Sequence, residues 1–188
     1  TPFIYQGQEI GMTNVQFPSI HDYDDIGMKN FYDLEIANGK SHEEVMEVIW
    51  RNGRDNSRTP MQWDSTLNSG FSVGEPWMKV NPNYLTINVA NQLGDENSIY
   101  HFYKKMIQVR KENPLFVYGE YDVIQEDHPD VYVYSRTMGD QFAFVLCNFR
   151  QQITELKLKH LPKRNTDLIL YNYENAPEQL SETITLNP

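Results

Sequence analysis

The feature that most limits how this chain can fold is its opening run, Pro2-Phe3-Ile4-Tyr5, the one strand-like run ahead of residue 114. A β-strand satisfies its backbone donors and acceptors only beside another strand, so a single one has no place to settle. The chain starts at Thr1 rather than Met and stops at Asn187-Pro188 after a strand-like run, and both ends read as cut. The expectation is that further chain upstream supplies the sheet that this run joins.

Beyond Tyr5 the pattern turns polar around Gly7 and Gly11, and the acidic, aromatic stretch 17–25 reads as loop. A helix is predicted from Met28 to Ala37, closed by Asn38-Gly39. Ser41-His42-Glu43-Glu44 has the form of a capping box, with Val45, Met46, Val48 and Ile49 forming the apolar face behind it. Residues 52–97 carry few periodic runs and much Asn, Pro, Gly and Ser. Trp63, Phe71 and Trp77 argue for order there, because disordered tracts are poor in aromatics. From Ser98 as N-cap to Asn113, the residues Ile99, Phe102, Tyr103, Met106, Ile107 and Arg110 fall on one helical face, and Pro114 ends it. Past Pro114 the texture changes to short Val-, Tyr- and Phe-rich runs without helices. Turn signals separate them at Gly119, Asp127 to Asp130, Gly139-Asp140 and Pro162 to Asn165. The boundary is placed at Asn113: α/β texture over 1–113, then an all-β antiparallel domain over 114–188.

Charge and cysteine content narrow the function classes. With a formal net charge of −10 the chain repels phosphate backbones, and no basic run offsets this, so a nucleic-acid role is excluded from the expectations. No apolar run is long enough to span a bilayer, and no membrane partner is expected. The single cysteine, Cys147, lies in an apolar run and reads as a small buried hydrophobe. It can form no internal disulfide and no zinc set, which fits a reducing cytoplasm, the expected location. The five histidines are scattered without metal-like spacing, and His128 reads as a turn residue. Asp22, Asp24 and Asp25 could hold calcium, but they lack the glycine and terminal glutamate of an EF-hand and are taken as a solvated loop.

Several blocks then carry a specific resemblance. Thr1 to Met12 resembles the eighth strand and following loop of glucosidases of the α-amylase superfamily (glycoside hydrolase family 13). Gly53-Arg54-Asp55-Asn56-Ser57-Arg58-Thr59-Pro60-Met61-Gln62-Trp63-Asp64 resembles a block shared by oligo-1,6-glucosidases, dextran glucosidases, trehalose-6-phosphate hydrolases and sucrose isomerases. Gly70-Phe71, Pro76-Trp77 and Asn81-Pro82-Asn83-Tyr84 follow in order, and the 98–113 helix is similar to the last barrel helix. The resemblance implies the end of a (β/α)8 TIM barrel, with 6–97 as its final βα loop, followed by a C-terminal antiparallel β-sandwich. It implies a retaining α-glucosidase acting on terminal, α-1,6-type bonds of short oligosaccharides. The alternatives are a trehalose-6-phosphate hydrolase, a sucrose isomerase, or a non-catalytic carbohydrate-binding or structural relative.

A retaining glycosidase needs two carboxyl groups about 5 Å apart across the scissile bond. The resemblance puts these on earlier strands, so none of the residues here is expected to be catalytic and the chain alone is expected to be inactive. No cofactor is expected, with calcium confined to the N-terminal barrel. Arg54 resembles the arginine that binds the non-reducing glucose and pairs with an upstream aspartate; a guanidinium can grip carboxylate and hydroxyl together. The competing reading is an ion pair that pins the loop. Asp55, Asn56 and Arg58 are assigned structural roles, Trp63 and Trp77 burial under the loop, and Glu9 a place at the loop anchor or pocket rim. Relatives commonly read Asp-Ile-Glu where this chain reads Asp25-Ile26-Gly27, with the glutamate near the leaving-group sugar, so Gly27 implies relaxed leaving-group preference.

Overall fold

A computed structural model of the chain describes residues 2–158, 166–173, 176 and 181–188. The chain divides into two compact units, Thr1–Tyr103 and Lys104–Pro188. The turn read at Pro162 to Asn165 and His160 lie outside the described residues.

In the first unit, residues 2–5 are not a strand. They have no ladder partner among the described residues, and Phe3 is 93% exposed. Tyr5 is tied instead by its hydroxyl to the Ser57 carbonyl (2.9 Å). Helix α1 (Ile26–Ala37) begins two residues before its predicted start because Asp25 is its N-cap, accepting from the Gly27 N–H. Helix α2 (His42–Asn52) opens on the predicted capping box: Ser41 Oγ accepts from the Glu44 N–H, and Glu44 accepts from the Ser41 N–H. Its inner face buries Val45, Met46 and Ile49, whereas Val48 falls outside that face. These three join Val15, Phe17, Ile20, Tyr23 and Met78 in the core of the unit, with Met28, Phe31, Tyr32 and Trp50 packed around it.

The long segment after α2 is ordered by side-chain amides. Buried Gln62 donates to Asn83 Oδ1 and the Ile87 carbonyl, while Asn81 and Asn83 reach back to Thr13. A hairpin-like return brings the N–H groups of Trp63 and Asp64 onto the Ser69 carbonyl. There Gly70 (φ 66) is required, because a Cβ would lie 2.7 Å from the Asp64 carboxylate. A short helix, α3 (Val89–Gly94), leads to α4 (Ile99–Glu112). The amphipathic stripe read in α4 is present but uncovered: none of its residues is buried, and Ile99, Met106 and Ile107 are exposed.

In the second unit, Leu115–Tyr118 forms a helical turn, α5, where a helix-free β region was predicted. Leu-Phe-Val-Tyr has strand-forming side chains, yet the turn starting at Pro114 and the Arg110 guanidinium on the Phe116 carbonyl hold it helical. Strands β1 (Glu120–Ile124), β2 (Val131–Met138) and β3 (Gln141–Asn148) form an antiparallel sheet in that order. Met138 pairs with Gln141 across the Gly139-Asp140 turn, with Gly139 at φ 58. Strands β4 (Thr154–Lys157) and β5 (Thr183–Leu186) form a second antiparallel pair. The alternation read in β2 sends Val131 and Val133 into a core shared with Leu156, Leu158, Ile184 and Leu186. Cys147, half-buried on β3, has its thiol pushed up by desolvation.

Candidate functional site

The Gly-Arg-Asp-Asn block begins where α2 stops. The Gly53 N–H still donates to the Ile49 carbonyl, and a Cβ at Gly53 would sit 2.8 Å from that oxygen, so the tight exit requires glycine. Arg54–Ser57 then forms a single 3-10 turn.

The next three side chains tie this turn to two parts of the unit, the Asp24-Asp25 segment and the Val15 and Trp50 backbone. Arg54 grips Asp25 side-on, with Nε 3.0 Å from Oδ2 and Nη2 2.6 Å from Oδ1, and its backbone N–H donates to Oδ2 as well (3.1 Å). Asp55 returns the grip: its Oδ2 accepts from the N–H groups of Asp24 (2.6 Å) and Asp25 (2.8 Å). Asn56 accepts from the Val15 N–H and donates to the Trp50 carbonyl. Arg58 pairs with Asp55 three residues away, so its ion pair is local and does not bridge distant loops. The structural roles assigned to Asp55 and Asn56 are what their bonds describe.

The Asp25–Arg54 pair is asymmetric. Asp25 is 1% exposed, whereas the Arg54 side chain is 60% exposed. Asp25 receives four hydrogen bonds, two on each oxygen, once the Gly27 N–H is included. The Arg54 guanidinium therefore holds this carboxyl well below the usual carboxylate range; desolvation opposes it, and the backbone N–H groups of Arg54 and Gly27 add to it. In turn the carboxylate raises the Arg54 guanidinium. Arg54 Nη1 makes no hydrogen bond among the described residues, so the fork is fixed by a buried anion while donors remain at the surface.

Gly27 lies against this pair. A Cβ there would be 3.2 Å from Asp25 Oδ1 and 3.8 Å from Arg54 Nη2. Neighbouring carboxylates are separately matched: Asp24 with Lys29 and Asp22 with Lys79. The acidic run thus divides among three cations.

Other expected positions fall elsewhere. Trp63 and Trp77 are not buried under the loop: they are 50% and 63% exposed, because the amide clips and Met78 fill the space beneath it. Glu9 is half-buried in the 3-10 turn Gln8–Ile10, and its Oε2 has no hydrogen-bond partner among the described residues. His128 is a turn residue, its Nδ1 accepting from the N–H groups of Asp130 and Val131. The role of Asp25 as the partner of Arg54 was missed by sequence reasoning, which sought that aspartate upstream. The available signal was its place two residues before Gly27 at a helix start, the pattern of an Asp N-cap.

Comparison with known proteins places the chain in a family. The profile described as alpha amylase, catalytic domain, matches residues 1–119. An oligo-1,6-glucosidase from Parageobacillus thermoglucosidasius is 49% identical over 100% of this chain and 34% of its own length. The trehalose-6-phosphate hydrolase of Escherichia coli is 38% identical over 95% of the chain and 32% of its length. Among solved structures, the Bacillus licheniformis trehalose-6-phosphate hydrolase matches with TM-score 0.91 and 37% identity, over 100% of this chain and 34% of that one. A trehalulose synthase variant bound to sucrose matches at TM-score 0.89 and 38% identity, again over 100% and 34%. The chain spans about a third of the length of the relatives it matches. With the profile covering its first unit and beyond, this chain belongs to the alpha-amylase family.

Proposed function

We propose that the chain is the C-terminal part of a retaining α-glucosidase that cleaves terminal α-1,6-type bonds of short oligosaccharides in the cytoplasm, and that it contributes one wall of the sugar pocket. The observation that carries this reading is the exposed Arg54 fork locked on buried Asp25. An arginine so fixed can present donors to the hydroxyls of a terminal glucose without first being ordered. The catalytic carboxyl groups would come from the part of the protein outside these residues. In that longer protein, 2–5 joins a (β/α)8 barrel as its eighth strand, 6–97 is the loop after it and the 98–113 helix closes it. The two antiparallel sheets after residue 113 form a β-sandwich. This reading supplies a cover for the uncovered α4 stripe and a partner for the unpaired first run.

The test is Arg54→Lys in the longer protein, assayed on isomaltose. A lysine keeps the charge and loses the fork, so kcat/KM is expected to fall roughly 10- to 100-fold while the protein stays folded. Unchanged kinetics would overturn the assignment of Arg54 to the sugar.

A further inference from the structure

We propose that the second unit carries a separate site for one neutral sugar residue, in the cleft beside the turn joining β1 to β2. The cleft, about 220 Å³, is lined by Gln125, Glu126, His128, Asp130, Tyr132 and Phe149 among others. It combines the chemistry that a sugar presents: C–H faces that pack on aromatic rings, and hydroxyls that both donate and accept. Phe149 is 74% exposed, leaving its ring open to a ligand, and its backbone N–H donates to the Asp130 carbonyl (3.1 Å). Tyr132, partly exposed on β2, supplies a second ring.

Three of the polar side chains have partners. His128 Nδ1 accepts from two backbone N–H groups, at 3.2 and 3.1 Å, which places the proton of the neutral ring on Nε2. The ring is thereby a donor of set tautomer. Asp130 is committed to Arg150 (2.6 Å), whereas the exposed Glu126 carboxylate has no partner among the described residues and is free to accept. Gln125 adopts φ 57, a strained conformation for a residue with a Cβ, and its Nε2 anchors on the Lys157 carbonyl. Two carboxylates in the lining and a net charge of −10 disfavour phosphorylated sugars. The ligand class rests on the carbohydrate reading above, but the residues are distinct from Arg54.

The experiment is saturation-transfer NMR of glucose on the longer protein, with deoxynojirimycin filling the Arg54 pocket and glucose 6-phosphate as the charged control. Glucose is expected to bind with that pocket filled, and both Phe149→Ala and Glu126→Gln to weaken it about fivefold or more. Turnover of isomaltose by these two variants is expected to stay unchanged. Loss of the glucose signal on adding deoxynojirimycin overturns the proposal; so does a signal indifferent to both variants, or equal binding of glucose 6-phosphate. If deoxynojirimycin does not bind at all, the Arg54 pocket reading fails, and the Phe149→Ala comparison still decides the cleft.

Discussion

Four donors converge on the two oxygens of Asp25, and three of them belong to Arg54. Because the folded carboxyl sits below its unfolded value of about 3.9, this site adds stability that is fully present above that pH. The contribution is lost as pH falls below it toward the folded value. In the longer protein, Asp25→Asn is expected to lower Tm near neutrality, with the gap to wild type shrinking below about pH 4. A gap that stayed constant down to pH 3 would show that the carboxylate charge is not what binds the two segments. Position 27 is tested through a different property. A glutamate at 27 would start beside the Asp25–Arg54 pair and add an acceptor there. Gly27→Glu is expected to shift turnover toward isomaltose over sucrose and trehalose 6-phosphate by roughly fivefold, about one hydrogen bond's worth. Equal ratios before and after would remove Gly27 from any account of specificity.

Helix α2 is the element on which the Arg54 block hangs, so its packing sets the geometry of the site. Ile49 is fully buried one turn before the exit at Gly53, and Ile49→Ala is expected to destabilise by about 2–5 kcal/mol. Ser41→Ala removes the cap at the other end and costs about 1 kcal/mol. Val48→Ala, on the exposed side, stays within about 0.5 kcal/mol. Hydrogen exchange at the α2 amides reads all three; equal effects of Ile49 and Val48 would contradict the packing described. The capping box was legible because its partners are three residues apart, and the stripe of α4 because helical periodicity is local. The N-cap at Asp25 was obscured by the acidic run around it. The turn of α5 was hidden in four residues of strand-forming type. The clips from Asn81 and Asn83 to Thr13 span nearly 70 residues, and no local pattern encodes a contact of that range.

At the scale of the whole molecule, burial follows from what lies above a residue as much as from its type. Trp63 and Trp77 were expected inside because they are large and apolar; they are outside because the loop fills its own interior with Gln62 and Met78. The reading of Arg54 as a sugar ligand came from resemblance to a family, since an isolated arginine in a loop has no local signature of what it grips. The exposed apolar residues of 2–5 and α4 have a consequence for the chain made by itself: it is expected to associate, as large uncovered apolar surfaces do. A single monomeric species in sedimentation, with a sharp melting transition, would contradict this. The most direct test of the central claim is p-nitrophenol release from p-nitrophenyl-α-glucoside, measured side by side on this chain and on the longer protein that contains it. Activity in the longer protein alone is the predicted result, since the proposed reading puts only a wall of the pocket in these residues and the catalytic pair outside them. Turnover by the 188-residue chain, or by neither protein, would contradict it.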